Sequence, residues 1–349
     1  MAEVEALRAA GIDAHYAYIG GYKLEAKLAG LAYAHPAIDK AQNPIAFRRS
    51  VAAIEQLIER HSIDVLHAHL TYDHWLARFA ARGRRVKIVR TFHSARTLRN
   101  DPLTRLLMQR TSGVCIVNDT FAGAPLLAGN RPVFTPPPLD ERLFSSTGTN
   151  ARARYGIGAG ERVIAVIGKL SKGRGFEDAL HTCSWLRKSR SDVRLMVIGH
   201  GEHRGALETL AHELDIAQSV VWAGYHETDL AEHYRAADLL LFTAAGSDEG
   251  HRAIIEAMAC GVAPVAFPIA GVAGVLGPLS QELLARDAAP SALAMLCNEA
   301  LQKVDPRRTE TRPFRDALGA RSREFAFSPA AERLIDVYRG AGVTSDAER

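Results

Sequence analysis

From residue 163 to residue 267, short apolar runs alternate with amphipathic stretches, and this alternation restricts the fold more than any other feature of the chain. Strands are expected at Val163 to Ile167, Arg194 to Ile198, Val220 to Trp222, Leu239 to Phe242 and Ala263 to Phe267. Helices are expected near 175–188, 204–214, 229–236 and 251–259. Strands that alternate with helices form parallel sheets covered by helices on both faces. Such sheets bind ligands in the loops beyond the carboxyl ends of their strands. The fold class is therefore α/β, and 349 residues are enough for two such domains.

The first half is less regular. Residues 2–10 read as an amphipathic helix ended by Gly11, and Ile12 to Ile19 as a strand. Residues 20–45 carry weak signals. A helix follows from Phe47 to Arg60, then strands at Ile63 to Leu70, Val86 to Phe92 and Val114 to Val117. Residues 145–160 are rich in Ser, Thr, Gly and Asn and read as a linker. A last helical stretch covers 329–339. The domains are expected at 1–145 and 146–325, with 326–349 as a terminal helix and tail.

Composition narrows the function classes. The chain is 47% hydrophobic and 23% charged, as in ordinary globular proteins. A net charge of +4 gives no argument for a nucleic-acid partner. There is no apolar run of membrane-spanning length and no signal-peptide pattern. Cys115, Cys183, Cys260 and Cys297 lack metal or disulfide spacing, and Cys115 and Cys260 sit in apolar segments as reduced core thiols. A cytoplasmic protein is expected.

Several loops could carry chemistry. The stretch Phe242 to Gly261 takes a strand through a small polar loop into a helix expected to begin near Gly250. A helix start offers unpaired N–H groups and favours an anion. Asp248 and Glu256 stand eight positions apart across that junction, and Glu256 lies four positions after Arg252 on one helix face. Taken alone, an N-cap Asp and a surface Glu explain the stretch better. Gly168-Lys169-Leu170-Ser171-Lys172-Gly173-Arg174-Gly175 follows the strand at 163–167. Its glycines permit close approach to a ligand, and its three cations can neutralise a diphosphate. Gly199-His200-Gly201-Glu202-His203-Arg204 is a poor dinucleotide fingerprint, because Arg204 stands where a third glycine belongs.

These stretches resemble the nucleotide-sugar glycosyltransferases of the GT-B fold in retaining family 4. That family carries two acids separated by seven residues and then Ala-Met-Ala-Cys/Ser-Gly. Asp248, Glu256 and Ala257-Met258-Ala259-Cys260-Gly261 match, with Asp in place of the usual first Glu. Lys169 and Arg174 stand where the family has Arg and Lys. The resemblance implies two Rossmann-like domains facing across a cleft, and retaining transfer from a nucleoside-diphosphate sugar with no required cofactor and no metal. It implies that Lys169 and Arg174 meet the diphosphate charge and that Asp248 holds the donor sugar. Glu256 would hold the ribose. Gly168, Gly199, Tyr225, Glu249, Gly250, His251 and Arg252 would complete the donor site. It also places the family's first strand and Gly-Gly loop ahead of Met1. Two outcomes are then expected: strands 12–19 and 63–70 pair directly, or residues 1–20 are displaced. In either case, activity should be low.

His93, in Arg90-Thr91-Phe92-His93-Ser94, ends a predicted parallel strand and matches the family's histidine beside the transferred sugar. A strand-end histidine without that role remains the alternative. His67 and His69 alternate on one strand face with Asp73 and His74 beyond, and are expected to be structural or site-lining rather than metal ligands. Between Arg82 and Arg110 stand nine cations and one acid, Asp101. Solvated surface charge is the expectation, and the stretch can also attract an anionic or lipid-linked acceptor or contact a membrane face peripherally. Two further classes stay open: a nucleotide-sugar-binding homologue without turnover, and an NAD-dependent oxidoreductase, which the poor fingerprint disfavours.

Overall fold

The computed structural model describes every residue except 22, 42, 244–250, 306–308 and 344–349. The chain divides into two compact units, Met1–Pro138 with Phe327–Arg349, and Leu139–Ala326. Both are Rossmann-like α/β units with parallel sheets.

The first unit has six strands among its described residues. These are β1 (Tyr16–Ile19), β2 (Ala34–Ile38), β3 (Val65–Ala68), β4 (Lys87–Phe92), β5 (Gly113–Ile116) and β6 (Val133–Phe134). They form two sheets, β1-β2 and β3-β4-β5-β6. Neither outcome expected for the start of the chain is found. β1 pairs with β2 rather than β3. Residues 1–20 are packed: the helix Ala2–Ala9 buries Ala6 and Leu7 against Ala331, Leu334 and Val337 of the helix Phe327–Gly340. β2 arises in the segment with weak sequence signals. Its Pro36 cannot donate a ladder hydrogen bond, which confines such a residue to an edge, and among the described residues β2 has a strand neighbour on one side only. The helix Pro44–His61 is bounded by local chemistry. The Asn43 side chain accepts from the Ala46 N–H at 2.9 Å, Pro44 occupies the first turn, and Ser62 closes the helix in left-handed conformation.

The second unit is a five-stranded parallel sheet. Its strands are β7 (Arg162–Ile167), β8 (Val193–Ile198), β9 (Val220–Gly224), β10 (Leu239–Phe242) and β11 (Ala263–Ala266), in the order β11-β10-β7-β8-β9. Helices Phe176–Arg187, Arg204–Glu213, Leu230–Ala236 and Arg252–Ala259 fill the connections between them. Val163, Ala165, Met196, Ile198 and Leu240 on the strands share a buried core with Tyr234 and Ala257 on the helices. The strand order reverses between β7 and β10, and that switch point is where a doubly wound sheet leaves a crevice at its carboxyl edge. Among the described residues, no helix is long and apolar enough to cross a membrane.

Candidate functional site

The loop after β7 is held in place by backbone contacts that only glycine allows. The Gly168 N–H donates to the Ile198 carbonyl at 3.0 Å and the Leu170 N–H to the His200 carbonyl at 3.0 Å. A Cβ on Gly199 would lie 1.9 Å from the Gly168 oxygen, and one on Gly201 2.1 Å from the Leu170 oxygen. The glycines of the Gly199-His200-Gly201 turn therefore make room for the backbone of the neighbouring cationic loop.

At the switch point the same loop meets the end of β10. Gly175 has φ +75°, and a Cβ there would lie 2.6 Å from the Thr243 backbone. The Thr243 hydroxyl donates to the Gly175 carbonyl at 2.7 Å. Gly175 then caps the helix Phe176–Arg187. Lys169 is 66% exposed, and its Nζ reaches Glu202 only at 3.8 Å. Arg174 is half-buried and makes no ion pair among the described residues. Asp248, Glu249 and Gly250 lie outside the described residues.

Beyond that segment, His251 is the N-cap residue of the helix Arg252–Ala259 and has φ +52°. Its ring is turned inward: it is 2% exposed, its Nε2 lies 3.0 Å from the Ala270 carbonyl, and it meets Phe242 edge-on. Arg252 is exposed. Glu256 is half-buried, and the hydroxyl of the fully buried Tyr234 donates to its Oε2 at 3.0 Å. No motif or spacing marks Tyr234 for this role, and Thr243 is marked only as part of the Phe242 to Gly261 stretch. Tyr225, after β9, is 60% exposed and packs edge-on against His200. His226 nearby bonds Asp229 at 2.9 Å.

A separate cavity of 430 Å³ lies by the amino ends of β7 and β10, with Arg152, Arg162, Arg235 and Asp238 in its wall. These charges already have protein partners: Arg152 pairs with Asp238 at 2.7 Å, Arg162 with Asp238 at 3.2 Å and with Asp305 at 2.7 Å, and Arg235 donates to the Thr149 and Ser145 carbonyls. These pairs tie the strand starts together, and the ligand-facing loops are at the opposite edge.

In the first unit, His93 follows the carboxyl end of β4 and is exposed. Its Nε2 lies 2.9 Å from His69 Nδ1, and His69 Nε2 is 3.4 Å from Glu3. His67 spends its nitrogens on the Tyr338 hydroxyl at 2.9 Å and the Thr91 hydroxyl at 2.6 Å. Burial lowers the pKa of both, His69 to about 4 and His67 well below the ordinary imidazole value. Both imidazoles are therefore neutral. Arg90 departs from the expected run of surface cations. It is 1% exposed, lies 5.0 Å over the Phe92 ring, and has Nε and Nη1 without a partner among the described residues. Burial lowers its pKa to about 10. All four cysteines are buried and unpaired. Burial raises the thiols of Cys115, Cys183 and Cys260 to about 12, and that of Cys297 as well. None is a nucleophile at neutral pH.

The model of "Glycosyl transferases group 1" matches residues 148–315, and that of "Glycosyltransferase Family 4" matches residues 2–122. The chain is 24% identical over 302 residues to an N-acetyl-alpha-D-glucosaminyl L-malate synthase of Bacillus anthracis, covering 81% of this chain and 75% of that one. It is 25% identical over 326 residues to a D-inositol 3-phosphate glycosyltransferase of Acidothermus cellulolyticus, covering 85% and 71%. Among solved structures, a glycosyltransferase from Rickettsia africae superimposes with a TM-score of 0.81 at 15% identity, over 99% of this chain and 94% of that one. Anabaena HepE in complex with UDP gives 0.70 at 18% identity, over 83% and 82%.

Proposed function

Because the chain belongs to the GT-B-fold glycosyltransferases of family 4, we propose that it moves a sugar from a nucleoside-diphosphate sugar to an acceptor with retained anomeric configuration. The observation that carries the donor assignment is the contact of Gly175 with Thr243. It ties the cationic loop to the switch point of the second sheet, where the chain leads on to His251 and Glu256. In this reading Lys169 and Arg174 stabilise the charge that develops on the departing diphosphate, as preorganised electrostatic catalysis. The two are not equivalent, since Arg grips two oxygens and Lys acts as a point charge. Glu256, fixed by Tyr234, accepts hydrogen bonds from the donor ribose. Asp248 and the backbone of 249–252 hold the donor sugar, and Gly168, Gly199 and Tyr225 border the nucleotide. His93 on the first unit contributes to transfer rather than to donor grip. No side chain need form a covalent intermediate, and the reading requires no metal or cofactor in transfer.

UDP is the first candidate donor nucleotide. Anabaena HepE, similar in fold, has been solved with UDP and with UDP-glucose. GDP is the second, from a GDP-mannose-dependent mannosyltransferase of Mycolicibacterium smegmatis that is 30% identical over 140 residues. The acceptor is proposed only by class, as an anionic or lipid-linked molecule drawn by the exposed cations of 82–110. The test is nucleoside diphosphate release from UDP- and GDP-sugars, with calorimetry against UDP and GDP. Measurable binding of one nucleotide and release that rises with an added acceptor support the reading. No binding of either would remove it.

A further inference from the structure

His15, His35 and His61 come together in the first unit from three separate elements. His15 immediately precedes β1, His35 is the second residue of β2, and His61 is the last residue of the helix Pro44–His61. One ring nitrogen of each lies within 4.8 Å of the others. His15 Nδ1 is 2.9 Å from His35 Nε2, and the His15 and His61 rings are 4.0 Å apart. His61 Nε2 is buried with no hydrogen-bond partner among the described residues. His15 Nε2 is likewise buried, and faces Asp13 Oδ2 at 3.3 Å. Arg8 holds the other Asp13 oxygen at 3.2 Å.

Three close imidazoles with buried nitrogens are costly on their own. A buried nitrogen without a partner pays a desolvation penalty, and protonating one ring would set a cation against two close imidazoles. A cation shared by the three rings removes both problems. A tetrahedral zinc ion with bonds of about 2.0–2.1 Å needs ligand nitrogens about 3.3 Å apart, within reach of this cluster by small ring movements. The surroundings match as well. A metal-bound histidine usually donates its other N–H to a carboxylate, and His15 has Nδ1 toward His35 and Nε2 toward Asp13. Two other clusters of potential ligands differ. Glu3, His67 and His69, and likewise His226, Asp229 and His233, have their ring nitrogens engaged by protein groups.

We propose that His15, His35 and His61 bind a divalent transition cation of the zinc class, with Asp13 accepting from His15 Nε2–H. Neutral imidazoles suit Zn, Cu and Ni. The site sits at the amino ends of β1 and β2, whereas His69 and His93 follow the carboxyl ends of β3 and β4. The cation is therefore structural. It clips β1, β2 and the helix Pro44–His61 together, and it stands or falls independently of the transfer reaction.

The test uses the whole chain, stripped with a chelator and titrated with zinc chloride alone near neutral pH. Bound metal is measured by elemental analysis, and the melting temperature is followed. Stoichiometric binding is expected, with a melting temperature that climbs as free zinc rises. His61→Asn and His35→Ala should lose it. Asp13→Asn should weaken it about 10–100-fold, and His69→Ala should leave it unchanged. Cobalt gives a second readout that does not depend on stability: a tetrahedral visible spectrum in the native chain and none in a folded His61→Asn. The proposal is overturned if the native chain binds no stoichiometric zinc, or if His61→Asn binds as the native chain does.

Discussion

Gly175 and Thr243 touch so closely that the space a side chain would fill at residue 175 is already occupied by the Thr243 backbone, 2.6 Å from an ideal Cβ. The Thr243 hydroxyl then closes on the Gly175 carbonyl at 2.7 Å. The contact joins the loop after β7 to the loop after β10 across the switch point of the sheet. Gly175→Ala should therefore be damaging twice, through a left-handed φ that costs about 1–2 kcal/mol and through overpacking that costs about 1–3 kcal/mol. Gly173 has the same φ of +75° but nothing within 4 Å of its Cβ position. Gly173→Ala should show the first cost alone. Thermal melts of both variants, with nucleotide affinity, make the comparison, and equal losses would deny the Thr243 contact any special role.

Lys169→Ala and Arg174→Ala should each reduce turnover by about 10²–10³, the usual cost of removing one transition-state donor. Circular dichroism and melting should be close to native, since Lys169 is mostly exposed and Arg174 pairs with no described residue. Near-native turnover in both folded variants would take the diphosphate away from this loop.

Glu256→Ala should weaken nucleoside diphosphate binding by about 1.5–3 kcal/mol, the range for a hydrogen bond to a charged group. Tyr234→Phe leaves the carboxylate in place and removes one anchor, so the loss should be smaller, about 0.5–1.5 kcal/mol. Calorimetry with the free nucleotide separates the two. Unchanged affinity in Glu256→Ala would make the Tyr234 hydrogen bond a purely structural one.

His93→Ala should slow transfer while nucleotide affinity stays nearly native. His93 belongs to the first unit, and its Nε2 lies 2.9 Å from His69 Nδ1. Parallel losses in rate and in nucleotide affinity would instead assign it to donor grip.

His74 predicts an acid sensitivity. It is 2% exposed, with Nε2 2.9 Å from the Thr111 hydroxyl. Burial, then Arg90 and Arg78, lower its pKa to about 3. An unfolded histidine titrates near 6.5. The unfolded chain thus binds the additional proton between those values, and stability falls as pH falls through that window. From pH 7 to pH 5 this histidine can account for at most about 2 kcal/mol of the loss. Denaturant melts of His74→Gln across the same range should show a shallower decline. An identical decline would mean that His74 takes up its proton while folded.

The second unit was legible because its strands are continuous apolar runs, each leading through a glycine-bearing loop into a helix. The strand expected at Leu239 to Phe242 is found at those same residues. The first unit was less so. The β2 sequence Ala-His-Pro-Ala-Ile contains a proline, and only its edge position explains why it can be a strand. Arg90 looked like its cationic neighbours. A single arginine in a short strand reads the same whether its face meets a helix or water, and here it is buried. Close approach is expected at the glycines of 168–175, and the structure adds Gly199, whose Cβ position meets the Gly168 carbonyl through a strand register that local sequence does not encode. The Tyr234 bond to Glu256 spans 22 positions and two helices, beyond the reach of any spacing rule.

The four sealed thiols make the chain its own reporter of opening. Cys115 is in the first unit, and Cys183, Cys260 and Cys297 are in the second. A thiol buried with its pKa near 12 cannot react with an alkylating reagent until the surrounding structure opens. Labelling at low reagent concentration therefore counts excursions of each unit separately: an added mass on the Cys115 peptide records breathing of the first unit, and mass on the other three peptides records breathing of the second. The order in which those masses appear tells which half of the chain comes apart first, with no dye, tag or engineered probe.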